Sequence, residues 1–278
     1  MIWLRDDMRA LFPGEDAFDR ILTLQGEVFR ELAGRRTLRF CVGERSYFAK
    51  LHFGVGWNEI FKNLWRLRQP VLGAGQEWRA IQRFEALGVA TMTLAAYGER
   101  GGNPARRESF VITDELVNTI SLEDLSRNWR TAPPAPGFKR ALIARVAEIA
   151  RTLHENGVNH RDFYLCHFLL EQTTGSAGQG RVSPKLHVID LHRVQIRRRT
   201  PKRWVIKDLA GLFFSSLDIG LTSRDVYRFL RHYRRRSLRE MFSRESAFWS
   251  RVTRRAVRLY QRDFKRLPRL PKGLGIPG

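Results

Sequence analysis

Residues 153–170, LHENGVNHRDFYLCHFLL, together with VIDLH at 188–192, constrain the fold of this chain more than any other stretch. Leu142, Ile143, Val146, Ile149, Ala150 and Leu153 recur at i, i+3, i+4 spacing, which predicts a helix with one apolar face. Asn156 with Gly157 supplies a left-handed stop, so that helix must end just before His160, Arg161 and Asp162. Residues 168–170 and 186–189 then read as two short apolar strands joined by a polar Gly/Ser/Thr/Gln turn, the second ending at Asp190. Such a hairpin folds Asp190 back beside the loop that carries Asp162.

Two carboxylates brought into one cleft by a hairpin suit phosphoryl transfer: one positions and deprotonates an acceptor hydroxyl, the other holds Mg²⁺ against phosphates. A His-Arg-Asp triplet alone is a weak signal; helix, loop, hairpin and second Asp in this order are a stronger one. The plainer alternative makes His160 and Asp162 a surface ion pair and Asp190 a turn residue at a strand end.

Upstream, residues 28–32, 37–42 and 46–52 read as three strands of an antiparallel meander, separated by AGRR and GER turns. The third carries Lys50 between Ala49 and Leu51, where a lysine costs desolvation unless an anion meets it. Lys50 is therefore a candidate contact for the α- and β-phosphates of a nucleotide; an outward edge lysine is the alternative. Gly34 and Arg35, with Arg36, lie in a glycine-poor turn that can cap phosphates only weakly. Residues 53–75 hold a basic amphipathic helix, with Trp57, Ile60, Phe61, Leu64 and Leu67 on one face, that covers a substrate, touches a membrane or packs on the sheet. A helix over 77–87 puts Glu77 in its first turn as a partner for Lys50, with Glu85 the competing choice.

Residues 91–97 and 109–113 complete a five-stranded sheet around a GGNP turn, and the backbone of Thr113, Glu115 and Leu116 is where an adenine ring can hydrogen-bond. Ser121 with Asp124 forms a capping box for a helix at Leu122, so the boundary between residues 1–116 and 117–278 falls just before it. Asp208, set among apolar neighbours at a helix start, needs hydrogen-bond donors and is expected to brace the 160–162 loop. Helices over 222–233 and 246–264 follow, the latter with Phe248, Val252, Ala256 and Leu259 on a stripe; the Pro/Gly-rich tail after Leu267 is expected to fray.

With 50 Lys+Arg against 28 Asp+Glu the chain carries a formal charge of +22, which calls for a strongly negative partner: nucleic acid, an anionic membrane or an acidic protein. No aromatic-basic nucleic-acid motif stands out, which argues against the first. The lone Cys41 and Cys166 give neither a metal pattern nor a disulfide framework, and point to a reducing compartment. Asp6 and Asp7 interrupt any N-terminal signal, and the apolar run at 209–217 is too short to span a bilayer, so the expected location is soluble or peripheral on the cytoplasmic side.

The order of these parts, Lys50, Glu77, Asp162 in a His-Arg-Asp loop, Asp190 and Asp208, is that of the protein-kinase fold. More closely, the chain resembles the lipopolysaccharide core heptose (I) kinases. The segments that carry the likeness include SYFAKLHFG at 46–54, PVLGAGQEW at 70–78, GVNHRDFYLCHFLL at 157–170 and KDLAGLFFSSLDIGLTSRDVYRF at 207–229. The resemblance implies an α+β, bilobal fold with a mainly helical second lobe. It also implies transfer of the γ-phosphate of ATP, with Mg²⁺, to the first heptose of the lipopolysaccharide inner core, at the cytoplasmic face of the inner membrane. By position, Asp162 is then the catalytic base, Lys50 the phosphate clamp, Glu77 its partner and Asp190 the metal ligand. His167 stands where protein kinases place an Asn that binds a second metal, and imidazole is a poor Mg²⁺ ligand, so that second site departs from the pattern. Leu191 and His192 follow Asp190 in place of Phe and Gly, and Tyr164 replaces a lysine that Arg35, Arg36 or Arg193 can stand in for. Under this resemblance the basic surface meets the anionic glycolipid acceptor and membrane or an acidic protein. A protein Ser/Thr/Tyr kinase and a non-catalytic basic adaptor are the competing functions.

Overall fold

The computed structural model describes residues 1–32, 34–54, 56, 57, 65, 73–172 and 184–271. The amphipathic helix expected within 53–75, the polar turn before 186 and the end of the tail fall largely outside these residues. Backbone contacts divide the chain into two compact units. The first comprises Met1–Glu85, Met92–Val117 and Leu191–Arg193, the second Ala86–Thr91, Asn118–Asp190 and Val194–Gly278.

The first unit is built on β1 (Ile2–Leu4), β2 (Glu27–Leu32), β3 (Arg35–Val42), β4 (Arg45–Phe53), β5 (Leu94–Arg100) and β6 (Glu108–Asp114). These form one antiparallel sheet in the order β1-β5-β6-β4-β3-β2. The five expected strands are present, and β1 adds a sixth by pairing Trp3 with Tyr97. Strand alternation in β4 buries Tyr47, Ala49 and Leu51 and turns Lys50 to the opposite face. Two short helices, α1 (Asp6–Leu11) and α2 (Ala17–Leu22), bring Met8, Phe12, Phe18 and Ile21 into that core with Leu38, Phe110 and Ile112. Each fully buried aliphatic side chain there contributes about 1.5–3 kcal/mol. The helix α3 (Gly75–Ala86) buries Glu77, Ala80, Ile81 and Phe84 and stacks Trp78 on Tyr97 at 4.5 Å.

The second unit is mainly helical. It opens with β7 (Thr119–Ser121) and α4 (Leu122–Ser126), whose cap is made as expected: the Ser121 hydroxyl accepts the Asp124 N–H at 3.0 Å. The long helix α5 (Pro136–Glu155) starts earlier than the apolar spacing suggested, because Pro136 at its first turn is already pre-set for a helix. Gly157, at φ +78°, stops it; a Cβ there would lie 1.7 Å from the Arg197 carbonyl oxygen. After β8 (Val158–Asn159), the hairpin forms from β9 (Phe168–Glu171) and β10 (Leu186–Val188), in the register Val188 opposite Phe168. The short β11 (Gln195–Ile196) pairs with β8.

Three helices close this unit. In α6 (Lys202–Ser215) Asp208, Leu209, Ala210 and Leu212 are buried. A capping box between Thr222 and Asp225 starts α7 (Ser223–Arg234). The last helix, α8 (Leu238–Phe264), begins ahead of the expected 246 because Ser237 caps it, and its buried stripe runs through Met241, Val252, Ala256 and Tyr260, leaving Phe248 and Leu259 of the expected set only half-buried. Among the described residues no helix is long and apolar enough to cross a membrane.

Candidate active site

In the first unit the inner strand β4 presents Lys50 between Thr37 of β3 and Val111 of β6. Its Nζ lies 2.6 Å from Oε1 of Glu77, whose side chain is 3% exposed against 27% for the lysine. A carboxylate this deeply buried is stable only when paired, so α3 and β4 fix each other through that contact. Glu85 is exposed at the far end of the helix, which leaves Glu77 as the partner. Beside Lys50 on the same strand, burial and the nearby positive charges of Arg35, Lys50 and His192 push the His52 imidazole down to about 4. The sheet unit thus concentrates positive charge around one inner strand.

The remaining nucleotide candidates of this unit differ in how committed they are. Gly34 has φ +79° in the turn before β3, and its carbonyl accepts the Phe53 N–H at 2.8 Å. Arg35 opens β3 opposite His52, and Arg36 pairs with Glu31 at 2.7 Å. Thr113 is buried in β6. The Glu115 N–H donates to the Ser46 carbonyl at 3.0 Å and its carboxylate accepts from Arg39 at 2.8 Å, while Leu116 follows in the chain leaving the sheet.

In the second unit the loop after β8 is held by one carboxylate. Asp208 of α6 accepts the backbone N–H of His160 at 2.6 Å and of Arg161 at 2.8 Å, the bracing its burial demanded. The same α6 approaches the loop closely at Gly211, where a Cβ would sit 3.1 Å from the Tyr164 ring and 3.2 Å from the Phe163 oxygen. His160 is fully buried, and burial lowers its pKa while Asp208 pushes it back up. Its Nε2 faces the Ile189 carbonyl at 3.0 Å; a carbonyl only accepts, so Nε2 carries the proton and ties the loop to the residue before Asp190.

His167 makes the second tie. Its Nδ1 lies 2.7 Å from the Asp162 carbonyl and therefore donates to it, while its Nε2 lies 3.6 Å from Oδ2 of Asp190. Ile189 in turn donates its N–H to the His167 carbonyl at 3.0 Å. Asp162 and Asp190, distant in sequence, are thus held around one imidazole. Arg161 at φ +76° and Asp190 at φ +63° both sit in the left-handed region, a strain of about 1–3 kcal/mol each that clusters at functional sites. Among the described residues no set of three or more His, Cys, Asp or Glu side chains forms a ready-made metal cage.

Two residues escape sequence reasoning. His154 Nδ1 meets the Tyr233 hydroxyl at 2.8 Å and its Nε2 reaches Asp208 at 3.4 Å, so a buried chain runs from α7 to the carboxylate under the loop. Burial raises the Tyr233 pKa, which keeps its hydroxyl a donor. The signal available was His154 on the apolar stripe of α5, one turn beyond Ala150.

A six-stranded antiparallel sheet carrying an inner lysine paired to a helix glutamate, and a helical unit with a braced His-Arg-Asp loop, define a protein-kinase-like fold of α+β class. Within that class, the chain belongs to the lipopolysaccharide kinase (Kdo/WaaP) family, whose model matches residues 19–233. It is 54% identical to the lipopolysaccharide core heptose(I) kinase WaaP of Pseudomonas aeruginosa over 260 residues, 93% of this chain and 96% of that protein. It is 49% identical to the enzyme of the same description from Escherichia coli strain K12, over 94% of this chain and 98% of that one. A solved structure of WaaP in complex with acyl carrier protein superposes with a TM-score of 0.81 at 48% identity, covering 94% of this chain and 99% of that chain.

Proposed function

We propose that the protein transfers the γ-phosphate of ATP to the first heptose of the lipopolysaccharide inner core. The observation that carries this reading is the His167 ring, which meets the Asp162 carbonyl at 2.7 Å and the Asp190 carboxylate at 3.6 Å and so couples an acceptor base to a phosphate-side carboxylate. Curated relatives at about half identity over nearly the whole chain are heptose(I) kinases, which supports the choice of acceptor over a peptide hydroxyl.

In this reading Asp162 orients the heptose hydroxyl and takes its proton as the P–O bond forms. Lys50, steadied by Glu77, holds the α- and β-phosphates, with Gly34 and Arg35 covering them and the Thr113, Glu115 and Leu116 backbone meeting the adenine. The Glu115 N–H is already donated to Ser46, so the adenine contacts of that segment fall to its other backbone groups. The Asp190 carboxylate is the oxygen donor that fits Mg²⁺, with phosphate oxygens and water to complete the shell, whereas His167 beside it at 3.6 Å is a poor ligand for that ion. Mg²⁺ bound there would neutralise charge on the phosphates. The role of Asp190 is to hold that ion, and His167 orients Asp190.

Five arginines of α7 and the turn after it, Arg224, Arg228, Arg231, Arg235 and Arg236, line one open depression. We infer that this face docks an acidic protein of the acyl-carrier type, the class of partner with which WaaP has been solved, and that the remaining positive charge keeps the protein at the anionic cytoplasmic face of the inner membrane. The domain division that serves this function separates the nucleotide-covering residues 1–116 from the catalytic residues 117–278.

The test is γ-labelled ATP with core oligosaccharides that contain or lack the first heptose, followed by locating the new phosphate. Label on that heptose alone supports the reading. Equal labelling of the truncated acceptor, or label on a peptide substrate in its place, contradicts it.

A further inference from the structure

Trp204, half-buried in the first turn of α6, has four cationic groups around its ring: Arg161 at 5.2 Å, Arg203 at 5.4 Å, Lys207 at 5.6 Å and Arg197 at 5.8 Å from its centroid. An indole face stabilises a cation only modestly, and does nothing to cancel the repulsion among several. Arg197 donates to two neutral amide oxygens, Asn159 Oδ1 and Gln195 Oε1, each at 2.6 Å. Burial and the charge of Arg203 together lower its pKa, the sign of an unfavourable cationic neighbourhood. Moreover, α6 has no acidic residue in its first turn and no side-chain cap at Pro201, so the positive end of its dipole adds to the cluster.

The placement of these groups is specific. Arg161 precedes Asp162 in the loop. Arg197 is fastened to the strand leading into that loop, through Asn159 and through its N–H to the Gly157 carbonyl at 2.9 Å. Arg203 and Lys207 lie on the helix whose Asp208 braces the same loop. The Nε1 of Trp204 is buried without a hydrogen-bond partner. Three guanidinium groups and an ammonium gathered on the loop, on the chain paired to it and on the helix that braces it are suited to bidentate capture of an oxyanion carried by the acceptor.

We propose that the Arg161, Arg197, Arg203 and Lys207 cluster around Trp204 is an acceptor subsite that binds a carboxylate or phosphate borne on the glycolipid next to the sugar being phosphorylated. The inference rests on the reading of the protein as a glycolipid sugar kinase. It extends that reading by naming an anionic group, rather than the sugar alone, as what orients the acceptor hydroxyl towards Asp162.

The experiment compares the full-length protein with Arg203→Gln, an exposed position whose loss spares the fold, and with Arg197→Gln and the charge-preserving Arg203→Lys. Three acceptors are used: intact heptose-bearing core glycolipid, the same with its sugar carboxylates reduced to alcohols, and the same with its phosphates removed. For Arg203→Gln we expect acceptor KM on the intact glycolipid to rise about tenfold with the KM for ATP unchanged, and Arg203→Lys to recover part of the loss. The stripped acceptor that lacks the recognised group should show the same rise in the parent and no additional rise in the variant, which identifies carboxylate or phosphate as the source. Identical acceptor KM for parent and Arg203→Gln overturns the inference while heptose phosphorylation itself still stands. So does a parent enzyme indifferent to both chemical strippings. If the parent does not phosphorylate heptose, the kinase reading fails separately, and calorimetric binding of the intact glycolipid then decides: equal affinity for parent and variant overturns the subsite.

Discussion

In the sheet unit a half-buried cation, Lys50, is held by a buried carboxylate at 2.6 Å; in the helical unit a buried carboxylate, Asp208, is held by two backbone N–H groups at 2.6 and 2.8 Å. The first arrangement fixes one side chain by pairing two charges, with 27% of the lysine side chain still exposed. The second fixes a stretch of backbone through fixed dipoles, with His154 and Tyr233 behind it, and leaves no part of the carboxylate for solvent. Each unit also buries a histidine beside its key charge. The charges that act on His52 are positive and add to the effect of burial, taking it down to about 4, whereas Asp208 opposes the effect of burial on His160. Under the proposed function the two arrangements suit different ends, since a phosphate clamp must stay chemically available while a brace must not move.

That contrast can be broken most forcefully at Asp208. Replacing it with Ala strands two loop N–H groups and removes the acceptor facing His154, and should lower stability by about 3–5 kcal/mol, read as the urea midpoint. A loss under about 1 kcal/mol would mean that the loop is held by other contacts, and the comparison with the clamp would lapse.

A smaller effect concerns acid. His52 is neutral when folded and titrates near its ordinary value when unfolded, so below about pH 6.5 the unfolded chain binds more protons than the native one. Its contribution is therefore fully present above that value and drains away as pH falls towards about 4. At pH 5 the loss is about 2 kcal/mol. The drop in melting temperature between pH 7 and pH 5 should shrink in His52→Gln, and an unchanged drop would place the acid-sensitive group elsewhere.

The smallest change is expected at the clamp itself. Glu77→Gln keeps the shape but removes the charge opposite Lys50, and should raise the KM for ATP about tenfold with little change in the acceptor KM. An equal shift in both constants would make Glu77 a general support for the fold rather than a partner for the phosphate-binding lysine.

How far the molecule was legible in its sequence follows the same divide. Lys50 and Asp208 were readable because each is a charge in an apolar segment, and burial physics demands a partner for it, whereas Glu77 was one of two candidates on its helix until its burial and its 2.6 Å contact set it apart from Glu85. The helix stop at Gly157 and the hairpin ending at Asp190 were readable from local period and turn chemistry. The sixth strand was not, since Ile2–Leu4 is too short to show alternation and is a strand only through its pairing with β5. Neither were β8 and β11, two residues each, although they fasten Arg197 to the strand that leads into the His-Arg-Asp loop. The His154 and Tyr233 link joins helices far apart in sequence, and no local pattern encodes which stripe of one meets the other. The early start of α8 shows the reverse error: apolar spacing locates a buried face, but the Ser237 cap decides where the helix begins.

The most direct test is Asp162→Asn, assayed for phosphate transfer to heptose-bearing acceptor alongside nucleotide affinity. The braced loop with Asp162 as acceptor base predicts a fall in turnover of about 10²–10⁴-fold with nucleotide affinity essentially unchanged. Turnover equal to that of the parent, or a collapse of nucleotide binding in step with activity, would contradict it.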